Sequence, residues 1–167
     1  MRKKIVVTLA LIFLASVSAV FYLKVKRVAK ELVPVTIIEI DPNLKSLNWL
    51  TTFFQKHNIQ NADELALALL LAPAAYREVL AAIAVQEGTH GDTTVVGRAG
   101  EKGIFQVREK YWGKVPRDIA GQVLQASYIY ASLHKIHGSE YRAVKAYNGS
   151  GYKAQQYAYA VLAMKGE

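Results

Sequence analysis

A chain of 167 residues with 52% apolar and 20% charged content can hold one domain with a sizeable core, which excludes a disordered chain. It contains no cysteine, so disulfides, thiolate metal ligands and a thiol nucleophile are all excluded. The net charge of +8 sits at one end: residues 1–30 hold seven basic residues and no acid, and the other 14 basic residues nearly balance 13 acidic ones. The basic face expected of a nucleic-acid-binding domain is therefore missing, and no nucleic-acid partner is predicted.

Met1–Lys4 is basic, and Ile5–Leu23 is a run of nineteen uncharged residues. As a helix it would be about 28 Å long at ~1.5 Å per residue, close to the hydrocarbon thickness of a bilayer. Val17-Ser18-Ala19 offers a small-residue cleavage site, as in a signal peptide. Retained, the segment is instead a membrane anchor with Lys24, Lys26 and Arg27 at the far interface. Either reading exports the rest of the chain. The expected organisation is a signal anchor or signal peptide over 1–27, a linker over 28–42 and a domain over 43–167. Within the linker, Val35-Thr36-Ile37-Ile38 between Pro34 and Pro42 suits an extended piece or short edge strand.

Leu44, Leu47, Leu50, Phe53 and Phe54 recur at three- and four-residue steps and predict a helix stopping near His57-Asn58. Asn61 is a candidate cap for a second helix, Ala62–Leu71, with Asp63 and Glu64 in its first turn. Pro73 suits the first turn of a third, running to about Glu87. That helix is almost uncharged after Glu78, so it belongs at the centre of the core. Five glycines follow between Gly88 and Gly103, with Thr93–Val96 as the only strand-like piece. Ile104–Lys110 reads as a helix ended by Tyr111-Trp112-Gly113. Pro116 opens a longer one through Leu133, closed by Gly138. Ser139 caps Glu140–Tyr147, Asn148–Gly151 is a turn, and Tyr152–Met164 is the last helix. The predicted domain is all-α with at most a small β-hairpin.

Glu87 is the first candidate for chemistry. A carboxyl at the end of an apolar helix is partly desolvated, which raises its pKa and suits it to donate a proton near neutral pH. The plainer reading is a solvated glutamate at a helix end, where it opposes the helix dipole by ~0.3–1 kcal/mol. His90 and Asp92 follow closely, but His57, His134 and His137 have no ligand-like spacing with them, and no metal site is predicted. No serine sits in a nucleophile elbow, and there is no phosphate-binding loop or dinucleotide fingerprint. Tyr147, Tyr152, Tyr157 and Tyr159 gather beside the Asn148 turn, where rings with hydroxyls can stack on sugars and hydrogen-bond to them.

Three stretches occur in order: Ile83–Gly88 (IAVQEG), Gly103-Ile104-Phe105-Gln106-Val107, and Ala146-Tyr147-Asn148-Gly149. They resemble the Glu-Ser, Gly-Leu-Met-Gln and Ala-Tyr-Asn motifs of the lytic transglycosylases, in the lysozyme-like superfamily with the soluble-transglycosylase catalytic domain. The resemblance covers roughly Ala74–Met164, and Tyr157 and Val161 sit like the family's closing Tyr and Val. It implies a lysozyme-like fold, peptidoglycan glycan strands as substrate, no cofactor, and one catalytic carboxyl, Glu87. That group would protonate the oxygen between N-acetylmuramic acid and N-acetylglucosamine, then take the proton of the muramic C6 hydroxyl as a 1,6-anhydro ring closes. Gln106, Phe105, Tyr147, Asn148 and Tyr157 would contact substrate. Gly88 replaces the usual Ser and Phe105 the usual Met.

Two alternatives accompany this expectation. A lysozyme-like muramidase would need a second carboxylate about 5–9.5 Å away, and Asp92 and Glu101 are the nearby acids. The other is a non-catalytic wall-binding or assembly module. A tethered enzyme would suit work beside the inner membrane, with a secretion or pilus machine, in growth, or in phage lysis.

Overall fold

The computed structural model describes residues 41–165. The anchor or signal expected at Ile5–Leu23, and the linker up to residue 40, lie outside the described residues. Among the described residues no helix is long and apolar enough to cross a membrane.

Seven helices make up the described chain: α1 Pro42–Lys56, α2 Ala62–Leu69, α3 Ala74–Gln86, α4 Glu109–Trp112, α5 Ile119–His137, α6 Glu140–Asn148 and α7 Gly151–Lys165. α1 opens where Asp41 accepts the Asn43 N–H at 2.8 Å, with Pro42 at the first helical position. It buries Leu50, Phe53 and Phe54. α2 begins after Asn61, but the Asn61 side chain makes no capping bond. Its end at Leu69 is two residues earlier than expected, because Leu71 and Ala72 bond back three residues rather than four. Arg77 fastens this corner, donating to the carbonyls of Leu70 (3.0 Å) and Ala72 (3.1 Å) and to Asn43 Oδ1 (3.0 Å).

α3 is the central helix. Every side chain from Val79 to Ala84 is buried, and α1, α2, α5 and α7 all pack against it. Leu80 and Ile83 are fully enclosed, so truncating either to alanine would remove about 2–5 kcal/mol.

The chain after the glycine loop departs from the expected helix at Ile104–Lys110. Gly103 and Gln106 both take positive φ (+72° and +46°), so residues 103–106 form a reverse turn. Ile104 and Phe105 are buried from within that turn and Val107 just after it, and only Glu109–Trp112 is helical. The expected hairpin reduces to two isolated bridges, Val96 with Lys102 and Lys102 with Val107. Beyond it, α5 starts three residues past Pro116, where Asp118 Oδ1 accepts the Gly121 N–H at 2.7 Å. It ends on Gly138 at φ +70°, and Ser139 Oγ accepts the Arg142 N–H to open α6.

Candidate active site

Glu87 closes α3, its N–H still bonded to the Ile83 carbonyl at 3.0 Å. Gly88 then turns the chain away at φ +66°, a left-handed conformation that a serine would adopt only under strain. From α7, the buried Tyr157 hydroxyl donates to Glu87 Oε1 at 2.6 Å. Desolvation by the surrounding core pushes the Glu87 carboxyl from 4.5 up to about 7, against the Tyr157 bond, with a smaller push from the charge of Glu101. Burial also lifts the Tyr147 and Tyr157 hydroxyls well above their ordinary range, so both stay protonated and able to donate.

The reverse turn facing Glu87 is held by three side chains from distant parts of the chain. Thr89 Oγ1 donates to the Ile104 carbonyl (3.2 Å), Tyr147 Oη donates to the Phe105 carbonyl (3.0 Å), and Gln122 Oε1 accepts the Ile104 N–H (2.8 Å). The Gln122 amide also donates to the carbonyls of Thr93 (3.0 Å) and Pro116 (2.8 Å). One buried glutamine on α5 thus ties together the glycine loop, the turn and the segment before α5. A Cβ on Gly103 would stand 2.3 Å from Gln122 Oε1, so only glycine fits against the clamp. Sequence reasoning alone does not single out Gln122 or Thr89, although a glutamine on the face shared by Ile119, Val123 and Ala126 is a readable signal.

The turn sets Gln106 at the edge of a cleft of about 310 Å³, which Glu87, Tyr147 and Asn148 also line. Gln106 Nε2 donates to its own turn at Gly103 O (2.8 Å), and its Oε1 lies against Gly97, where a Cβ would stand 2.4 Å away.

Two expected substrate contacts are placed elsewhere. Phe105 is 1% exposed and points into the core, so its carbonyl, not its ring, serves the site. The bulk of an apolar residue at this position is taken up by packing. Tyr157 is buried against Glu87 and does not line the cleft, so it holds the acid and does not face a ligand.

The structure separates the two candidate second carboxylates. Asp92 is exposed and outside the cleft. Its Oδ1 accepts the Thr94 hydroxyl and N–H, both at 2.7 Å, and these bonds hold it below the usual carboxylate range. Glu101 does line the cleft. Its Oε1 accepts Arg108 Nη2 at 2.7 Å and Nε at 3.0 Å, and its Oε2 accepts the Ala99 N–H at 3.0 Å. Its own backbone N–H and the Arg108 guanidinium lower its pKa. The cleft therefore pairs a carboxyl poised to be protonated near neutral pH with one held ionised. Separated pKa values of this kind mark acid and base roles in many active sites. Among the described residues, no group of three His, Asp or Glu side chains is arranged to hold a metal ion.

Neither the known protein families, nor curated proteins, nor solved structures give a significant match to this chain. The site's chemistry therefore rests on its own geometry: a partly buried carboxyl, bonded by Tyr157, in a cleft bordered by amides, hydroxyls and one ion pair.

Proposed function

We propose that this protein is a peptidoglycan lytic transglycosylase of lysozyme-like fold, with Glu87 as its single acid and base. The observation that carries the reading is the state of Glu87: desolvated, bonded by Tyr157, and raised to a pKa of about 7 within a cleft. Such a group holds its proton while a substrate binds and releases it to a leaving oxygen. The proton passes from Glu87 to the glycosidic oxygen, and the bond from that oxygen to C1 of N-acetylmuramic acid breaks. The C6 hydroxyl of the same sugar then bonds to C1 and returns its proton to the Glu87 carboxylate. The products are a 1,6-anhydro end and a new N-acetylglucosamine end, and the enzyme is regenerated. Gln106, Tyr147 and Asn148 border the reacting sugar.

The substrate lies outside the cytoplasmic membrane, and Ile5–Leu23 would deliver the domain there as a signal peptide or an anchor facing the wall. Secretion, pilus or phage-lysis machinery are the partners that such a tether would serve.

A second reading, hydrolysis by a lysozyme-like muramidase, is favoured by one observation: Glu101 shares the cleft. Mass spectrometry of muropeptides released from sacculi separates the two readings, since an anhydro end is one water lighter than a reducing end. Glu87→Gln should slow release by about 10²–10⁴-fold. Equal clearing by parent and variant would leave a non-catalytic wall-binding or assembly module as the better account.

A further inference from the structure

Helix α4 brings a second kind of group to the Glu87 cleft. Arg108, Tyr111 and Trp112 line it together with the acid, and none has a role in the proton transfers above. Tyr111 is 64% exposed, whereas Trp112 packs partly against the core. Exposure alone says little about an aromatic side chain. What distinguishes Tyr111 is how firmly its surroundings are built.

Four residues cannot sustain a helix unaided, and α4 is fastened at both ends. Glu109 accepts Lys102 Nζ at 2.7 Å and the Val115 N–H at 3.0 Å. At the other end, Gln125 Nε2 donates to the Trp112 carbonyl at 3.1 Å. Arg108, before the helix, directs both Nε and Nη2 onto Glu101 Oε1. Lys110 Nζ stands 5.6 Å from the ring centroid. Tyr111 thus stands at the wall of the cleft on a helix fastened at both ends, with most of its surface open.

A pyranose has a flat apolar face of C–H groups and a rim of hydroxyls. An aromatic ring carried on a fastened backbone suits that face. We propose that Tyr111 is a sugar-stacking residue of a subsite continuous with the Glu87 centre, set at the cleft wall by the fastened helix α4. The occupant is an N-acetylated amino sugar of a glycan strand, a neighbour of the sugar being cleaved. This inference rests on the proposed action on glycans.

The test uses the full chain and a six-sugar N-acetylglucosamine oligosaccharide, with affinity measured by calorimetry and turnover measured on sacculi. Tyr111→Ala should weaken oligosaccharide binding about tenfold, equivalent to ~1.4 kcal/mol. Tyr111→Phe keeps the ring and should stay within about threefold of the parent. Melting curves matching the parent's accompany each variant to exclude misfolding. If Tyr111→Ala binds the oligosaccharide as the parent does, while clearing still depends on Glu87, the subsite is wrong and the enzyme stands. If the parent neither binds the oligosaccharide nor clears sacculi, the glycan reading fails and the subsite with it.

Discussion

Replacing Glu87 with glutamine removes a titration and changes little else in the fold. Glutamine has nearly the same shape, and its Oε1 can still accept the Tyr157 hydroxyl that now reaches the carboxylate at 2.6 Å. The folded chain raises the Glu87 pKa from 4.5 to about 7. A group whose pKa is raised by folding contributes its full stability below the unfolded value, and that contribution is lost as pH rises through the folded value. Here the window runs from 4.5 to about 7, and above it the folded protein carries a desolvated anion. At ~1.36 kcal/mol per pKa unit the penalty is about 3 kcal/mol. Parent and Glu87→Gln should therefore be equally stable near the acid end of the window. By about pH 8 the variant should be the more stable by about 3 kcal/mol, with a Tm higher by roughly 10 °C. Urea unfolding followed by circular dichroism at several pH values across the window measures this directly. If the difference between the two proteins does not change with pH, the carboxyl titrates as a solvated helix-end glutamate does, and the proton-donor argument collapses. A variant that gains stability while losing activity would instead show that the site holds its acid at the expense of the fold.

Glycan cleavage by the parent should decline as pH rises through about 7, when the acid loses its proton. Tyr157→Phe removes a bond that favours the carboxylate, so that limb of the pH–rate profile should move to higher pH, with turnover falling roughly tenfold. An unmoved limb would contradict the role given to Tyr157. In Gly97→Ala the new Cβ meets Gln106 Oε1 at 2.4 Å and Glu101 Oε2 at 2.6 Å, both at the ends of side chains that can shift. Turnover should drop about tenfold or more for a stability change of about 1 kcal/mol or less, a split read from kinetics and melting on one preparation. Gln122→Ala strands the Ile104 N–H and the Thr93 and Pro116 carbonyls, and should lower the urea-unfolding free energy by about 3 kcal/mol.

Helix boundaries set by local chemistry could be read from the chain. Gly138 adopts the left-handed conformation only glycine takes easily, and Ser139 caps with its own hydroxyl, so the join between α5 and α6 lies where composition puts it. The uncharged run after Glu78 likewise marks the central helix, against which α1, α2, α5 and α7 pack. Ile104–Lys110 misled because its apolar spacing fits a helix equally well. The turn there is imposed by Thr89, Gln122 and Tyr147, and partners 15 to 42 residues away leave no local trace. Phe105 was misplaced for a related reason: a position within a motif does not say whether the side chain or the carbonyl faces the cleft. The desolvation of Glu87 is legible in its helix, but its bond to Tyr157, 70 residues later, is not: the motif suggests a substrate contact there instead. Asp92 was decidable locally, since the Thr94 two residues on offers it both a hydroxyl and an N–H.

Glu101 was not decidable in that way, and it separates the two enzyme readings. A base that activates water needs an open lone pair and enough basicity to take a proton. Glu101 Oε1 already accepts two Arg108 N–H groups and Oε2 accepts the Ala99 N–H, and its own backbone N–H together with these bonds depresses its pKa. It is a poor base in this arrangement, but its charge still reaches Glu87 and helps keep that acid protonated. Removing the charge with Glu101→Gln therefore has opposite consequences under the two mechanisms. With Glu87 acting alone, released ends should remain anhydro, kcat should fall only severalfold, and the limb near pH 7 should move to lower pH as the push on Glu87 is lost. With Glu101 as the second carboxylate, cleavage should fall by about 10²-fold or more with no such shift. Product mass and the pH–rate profile of this one variant thus test whether Glu101 acts on water or on Glu87.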